Sequence, residues 1–130
     1  MKKIRDMFEV FDEPMDKYTQ IIELGKKNSG LEENHKNDKN RIYGCASLAW
    51  VYTNKSDDFY SIKTDSDTFI VKGLLNILEY VINDSCKEDI IEMHVEDILK
   101  NIGLEQSITS QRTNGFLSAV NKIKNQIKSL

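Results

Sequence analysis

Arg41-Ile42-Tyr43-Gly44-Cys45-Ala46-Ser47-Leu48-Ala49-Trp50-Val51-Tyr52 is where a long polar run ends and the first convincing β-strand pattern begins. From Ser47 to Thr53 the side chains alternate, with Leu48, Trp50 and Tyr52 on one face and Ser47, Ala49 and Val51 on the other, in residue types that favour strands. Asn54 to Asp58 is a polar turn, and Phe59 to Thr64 returns with Tyr60 and Ile62 on one face, which predicts a hairpin. A hairpin is marginal by itself, so helices are expected against one face, with room for a third short strand near Asn40 to Tyr43. The fold class is therefore α+β: a small antiparallel sheet with helices packed mainly on one face.

Upstream, Ile4, Met7, Phe8 and Phe11 fall at three- and four-residue steps and predict one face of a short helix. Asp12-Glu13-Pro14 breaks it and opens a second helix in which Met15, Tyr18, Ile21, Ile22 and Gly25 face inward. Asn28 to Asn40 carries almost no apolar residue except Leu31 and reads as a surface loop that delivers the chain to Cys45. Downstream, Asp65 or Ser66 is placed to cap a long helix to about Asn83, with Phe69, Ile70, Leu74, Ile77, Leu78, Val81 and Ile82 as its apolar surface. Gly73 inside that helix costs roughly 1 kcal/mol against alanine, which implies close packing against another element, the sheet being the natural candidate. Ser85-Cys86-Lys87-Glu88 has capping-box spacing for a short helix through Glu92. Val95 to Ile102 makes another, stopped by Gly103, and Thr109 or Ser110 starts the last, with Leu117, Val120, Ile123 and Ile127 inward.

The 130 residues fit one domain spanning 1–130, and 39% hydrophobic with 30% charged residues is the profile of a folded globule. A net charge of -3 without a clustered basic face argues against nucleic acid; Lys122, Lys124 and Lys128 fall on the outer side of the last helix. No apolar run reaches the ~20 residues that cross a bilayer, so the expectation is a cytoplasmic protein with no membrane contact and with Cys45 and Cys86 as thiols. Cys45, Cys86, His35 and His94 show no Cys-x-x-Cys or His-x-x-x-His spacing, so no metal site is expected.

Cys45 is the candidate for chemistry. Gly44 before it can take a positive φ and lets another surface approach the sulfur, while the strand behind holds the backbone steady. Spacing alone favours the plainer alternative, a buried structural thiol beside a turn glycine. Cys86 has its own plain explanation at a helix start.

Four blocks in order change that balance. Gly44-Cys45-Ala46-Ser47-Leu48-Ala49-Trp50 resembles the Gly-Cys-x-Ser-x-Val-Trp segment around the active cysteine of SufE-type sulfur acceptors. Ala46 and Leu48 stand where that family usually carries glutamines, and Ala49 where valine is common. Tyr18-Thr19-Gln20-Ile21-Ile22-Glu23-Leu24-Gly25-Lys26, Asp65-Ser66-Asp67-Thr68-Phe69-Ile70-Val71-Lys72-Gly73-Leu74, and Leu104 with Ser110-Gln111-Arg112-Thr113-Asn114-Gly115 are similar to three further blocks of the same family. The resemblance implies a SufE/IscU-like fold in which Cys45 takes persulfide sulfur from a pyridoxal-phosphate cysteine desulfurase of the SufS or CsdA type. It implies stimulation of that desulfurase, as an activator rather than a stand-alone enzyme, and delivery of the sulfur to a SufBCD-like iron–sulfur scaffold. No cofactor is needed on the acceptor. Gly44, Ser47 and Asp65 are the implied supports of the cysteine loop, and Arg112 an implied docking residue. Two other functions stay open: an adaptor that binds a desulfurase without carrying sulfur, and a thiol oxidoreductase using Cys45 and Cys86.

Overall fold

The computed structural model describes residues 6, 8–44, 47–83, 85–104 and 108–130. Near the start Asp6, Phe8 and Glu9 are helical and Phe8 is fully buried; Ile4 and Met7 lie outside the described residues. Helix α1 (Pro14–Lys27) opens on proline, whose missing N–H costs nothing in a first turn, and carries Asp16 at its positive end and Lys26 and Lys27 at its negative end. After the long loop come β1 (Ala49–Ser56), β2 (Phe59–Ser66), α2 (Phe69–Ile82), β3 (Ser85–Cys86), α3 (Lys87–Ile91), α4 (Val95–Ile102) and α5 (Ser110–Ser129).

The fold is α+β. The sheet is antiparallel in the order β1-β2-β3, with β1 and β2 paired from Ala49–Ser66 to Ser56–Phe59. A two-residue turn joins them, with Asp57 at φ 55, a conformation aspartate tolerates better than most side chains. β3 adds only two pairs, Phe59–Cys86 and Tyr60–Ser85. On the other side, Arg41 bridges Trp50, where the Ile42 amide donates to the Ala49 carbonyl (2.8 Å) and the Val51 amide to the Asn40 carbonyl (2.9 Å). The short strand expected near Asn40 is thus a single bridge, and residues 43–48 form the connection that it closes.

Ala49, Val51 and Thr53 of β1 are buried together with Tyr60, Ile62 and Thr64 of β2, and this face takes α2 and α5. Trp50 and Tyr52 point the other way and are half-buried. The second face is covered by the polar loop: the His35 ring stacks on Tyr52 at 4.1 Å and the Lys36 ammonium lies 5.6 Å from the Trp50 ring.

Gly25 of α1 and Gly73 of α2 bring the two helices into backbone contact. A Cβ on Gly25 would strike the Phe69 carbonyl, and one on Gly73 the Ile21 carbonyl. The partner of Gly73 is therefore α1 and not the sheet.

Several local expectations are corrected. Asp65 and Ser66 end β2 instead of capping α2, whose N-cap is Thr68 without a side-chain bond. Cross-strand pairing with Trp50 and Ala49 holds them extended. Ser85 and Cys86 are strand residues, drawn into pairing with Phe59 and Tyr60. Met15 and Leu117 are 71% and 42% exposed, because Ile21 and Leu24 of α1 and Phe116 and Ala119 of α5 take the inward positions.

Candidate functional site

The 43–48 connection leaves the sheet at the Ala49–Ser66 end of the hairpin. Cys45 and Ala46 lie outside the described residues, between Gly44 and Ser47, which are described. Gly44 has φ 96, and a Cβ there would come within 2.5 Å of the Ser118 hydroxyl of α5. Both observations call for glycine at this position. Tyr43 is 61% exposed with the Arg41 guanidinium 5.2 Å from its ring. Among the described residues, the buried Nε of Arg41 has no hydrogen-bond partner.

The far flank is tied to the turn between β2 and α2. The Ser66 hydroxyl (2.7 Å) and the Asp67 amide (3.1 Å) both donate to the Leu48 carbonyl, and the Thr68 hydroxyl donates to the Ser47 hydroxyl (3.2 Å). Ser47 lines a cleft of about 190 Å³ between α2 and α5, whose walls include Val71, Leu74, Leu75 and Phe116. Arg112 lines the same cleft. It stands in the first turn of α5, its amide donating to the capping Thr109 hydroxyl (3.3 Å), and its guanidinium is 5.8 Å from the Tyr18 ring. It is half-buried, not exposed as its place at a helix start suggests.

Asp65 does something different from its neighbours. Its buried carboxylate accepts from the Leu31 amide (3.1 Å) and the Ser66 amide (2.8 Å), and pairs with Lys36 (2.9 Å) and Lys72 (3.4 Å). Burial pushes its pKa up, but the Leu31 amide, Lys36, the Ser66 amide and Lys72 together outweigh that and hold it below the usual carboxylate range. The hydrogen bond to Asp65 in turn raises the Lys36 pKa. None of these partners belongs to the 43–48 connection. Asp65 bolts the long polar loop to β2 and α2.

The start of that loop is held by a second polar group. The Asn28 side-chain amide donates to the Thr64 hydroxyl (3.1 Å) and the Lys72 carbonyl (3.3 Å), and the Thr64 hydroxyl donates to Glu79 (2.8 Å). Burial raises the Glu79 pKa to about 7, against the opposing pull of Thr64 and Lys63.

Sequence reading brought out Gly44, Ser47, Asp65 and Arg112 but missed Ser66, Asp67 and Thr68 as the grip on residues 47–48, and Ser118 as the wall behind Gly44. Only the run of short polar residues at the end of β2 signalled the first three, and nothing local marks Ser118. Cys86 is half-buried in β3 opposite Phe59, at the far end of the hairpin from the connection. The seven strand steps from Ala49 to Ser56 span roughly 24 Å. Among the described residues no three His, Cys, Asp or Glu side chains converge on a metal-sized site.

A connection at the hairpin's end whose described flank, Ser47, lines an apolar cleft, in an α+β frame, defines the class of protein. The comparisons narrow that class. The family model described as SufE, Fe-S metabolism associated domain, matches residues 2–127. An uncharacterized SufE-like protein of Rhizobium etli is 34% identical over 132 residues, covering 98% of this chain and 89% of that one. Another, from Rhizobium meliloti, is 32% identical over 130 residues, covering 97% and 93%. The chain belongs to the SufE family. Its fold is also that of a hypothetical protein from Thermus thermophilus solved in solution, with a TM-score of 0.79 at 15% identity over 98% of this chain and 93% of that one.

Proposed function

We propose that this protein accepts sulfane sulfur on Cys45 from a pyridoxal-phosphate cysteine desulfurase of the SufS or CsdA type, stimulates that enzyme, and passes the sulfur to a SufBCD-like iron–sulfur scaffold in the cytoplasm. The Cys45 thiolate attacks the outer sulfur of the donor's persulfide. A new S–S bond forms on Cys45, the donor's S–S bond breaks, and the donor cysteine leaves as a thiolate. The pyridoxal phosphate belongs to the desulfurase, and the acceptor contributes a thiol and its setting. No helix among the described residues is long and apolar enough to cross a membrane.

The observation that carries this reading is the setting of the two described flanks of Cys45: Gly44 follows the Arg41–Trp50 bridge, and Ser47 and Leu48 are held by Thr68 and Ser66, with Ser47 lining an apolar cleft that Arg112 also lines. Arg41 at one flank and Arg112 in the cleft that Ser47 lines are the cations nearest the described ends of the connection. Ser47, Gly44 and Arg112 act here as positioning residues, Asp65 at one remove through the polar loop. Mass spectrometry of the protein after incubation with a desulfurase and cysteine tests the proposal. One added sulfur atom on Cys45 is expected. A chain that stimulates the desulfurase while Cys45 stays unmodified is an adaptor, and the carrier role falls.

A further inference from the structure

The two edges of the sheet are finished differently. Because the Val51 amide points outward to Asn40, and the Ile62 amide outward to the Asn83 side chain (2.9 Å), the Val51–Thr64 and Thr53–Ile62 pairs exchange no ladder bonds. The backbone groups of Thr53 and Lys55 therefore also face away from β2. On the β2 side, Asn83 caps Ile62 and Asp65 caps Ser66. On the β1 side the Val51 carbonyl accepts from Gln126 (3.1 Å), whose side-chain oxygen accepts from the Thr53 hydroxyl, and Thr53 is 7% exposed, so the strand opens to solvent from Asn54 onward. Among the described residues, no hydrogen bond beyond the ladder reaches the Thr53 or Lys55 backbone, and of the two Lys55 is the exposed one.

A groove of about 600 Å³ reaches β1 at Tyr52 and Thr53, between the end of the polar loop and the last turns of α5. Lys39 lines it from the loop and Lys122 from the helix, with Asn37, Asn125 and Gln126 between. No aspartate or glutamate lines it, in a chain with 21 of them. We propose that the open end of β1 and this groove dock an extended acidic segment of a partner protein. Backbone pairing with Thr53 and Lys55 supplies the register, and carboxylates on alternate faces meet Lys39 and Lys122. A second copy of the same edge is a poor occupant, since it would bring Lys39, Lys55 and Lys122 against their equals. Along β1 the site begins about 13 Å from Ala49, so a partner engaged at the 43–48 connection and one held here occupy different surfaces.

The test needs no sulfur chemistry, so it stands or falls apart from the role of Cys45. A fluorescein-labelled Glu-Val-Glu-Val-Glu peptide is titrated into the full-length protein by anisotropy, with amide shifts followed by NMR. Binding is expected, with shifts at Thr53 and Lys55, and about tenfold or more loss of affinity in a K39E/K122E variant. The lysine counterpart peptide should not bind, and the same acidic peptide methylated on its backbone nitrogens should bind at least tenfold more weakly. Equal binding by the methylated peptide, equal binding by the K39E/K122E variant, shifts confined to other surfaces, or absence of binding each overturns the proposal. Competition by free glutamate as effective as by the peptide would do the same, because it would mark a small-anion site.

Discussion

The two loops that flank the Arg41–Trp50 bridge are built on opposite principles. The longer one, residues 28–40, has the composition of a free surface loop, yet it is fixed at Asn28, Leu31, His35 and Lys36 by a buried carboxylate, two aromatic rings and a threonine. The shorter one, 43–48, is secured at its ends and exposes Tyr43, Gly44 and Leu48. The long loop is frame, and the short one carries the thiol. Length and polarity thus say little about which loop is held. The count of buried polar partners decides it.

The sharpest break in that comparison is Cys45→Ser. A hydroxyl cannot form a persulfide, so sulfur acceptance should vanish entirely while urea unfolding shifts by less than about 1 kcal/mol. Cys86→Ser, at the far end of the sheet, should leave transfer unchanged when scored by the same mass measurement.

Asp65→Asn attacks the frame. It leaves Lys36 and Lys72 without their carboxylate, and a loss of about 2–4 kcal/mol is expected by urea titration, with faster hydrogen exchange at the Leu31 amide. The wild-type carboxyl is held below its ordinary value, so its contribution is complete above about pH 4, the unfolded value, and fades as pH falls through the lower folded one. The variant should lack that acid limb. If the Leu31 amide exchanges as before, the long loop is not held by Asp65.

Glu79 runs the other way. Its folded pKa of about 7 exceeds the unfolded 4.5, so the folded state keeps a proton that the unfolded chain has lost. Stability is greatest below pH 4.5 on this account and is lost as pH rises through 7. Glu79→Gln should flatten the fall between about pH 4.5 and 7, a change of roughly 1–2 kcal/mol once solvent access to a half-buried group is allowed for. A wild type with no such fall would remove Glu79 from the frame's polar network.

Gly44→Ala tests the carrier. The positive φ and the Ser118 contact predict a cost of about 1–2 kcal/mol and a slower transfer to Cys45. Pairing it with Ser118→Gly should recover the part due to contact and leave the part due to φ. Arg112→Ala should cost little stability, about 0.5–1 kcal/mol for the lost Tyr18 contact, with a larger drop in desulfurase stimulation at subsaturating protein. Unchanged stimulation would end its docking role.

Much of this architecture is legible in the residues. The alternation from Ala49 onward and the three- and four-residue steps of α1, α2 and α5 are local periodicities that survive in the fold. Gly73 announces a close approach, though not to what. Asp65 and Ser66 mislead because a helix cap and a strand end use the same short polar residues, and only the pairing with β1 separates them. The cleft is illegible for a related reason. Its walls come from α2 and α5, and Ser47 and Arg112 meet there only once the chain has folded, across 65 positions (112 minus 47).

The contact of Gly25 with Gly73 sets more than a helix spacing. α2 crosses α1 at backbone distance near its own start, and the same helix lends Val71, Leu74 and Leu75 to the cleft. A side chain at the crossing would have to push α2 away from α1 near its start, while its far end stays tied to β2 through Asn83. The two glycines set how closely α2 approaches α1, and α2 is one wall of the opening that Ser47 lines, so variation at either should reach the surroundings of the 43–48 connection through that helix.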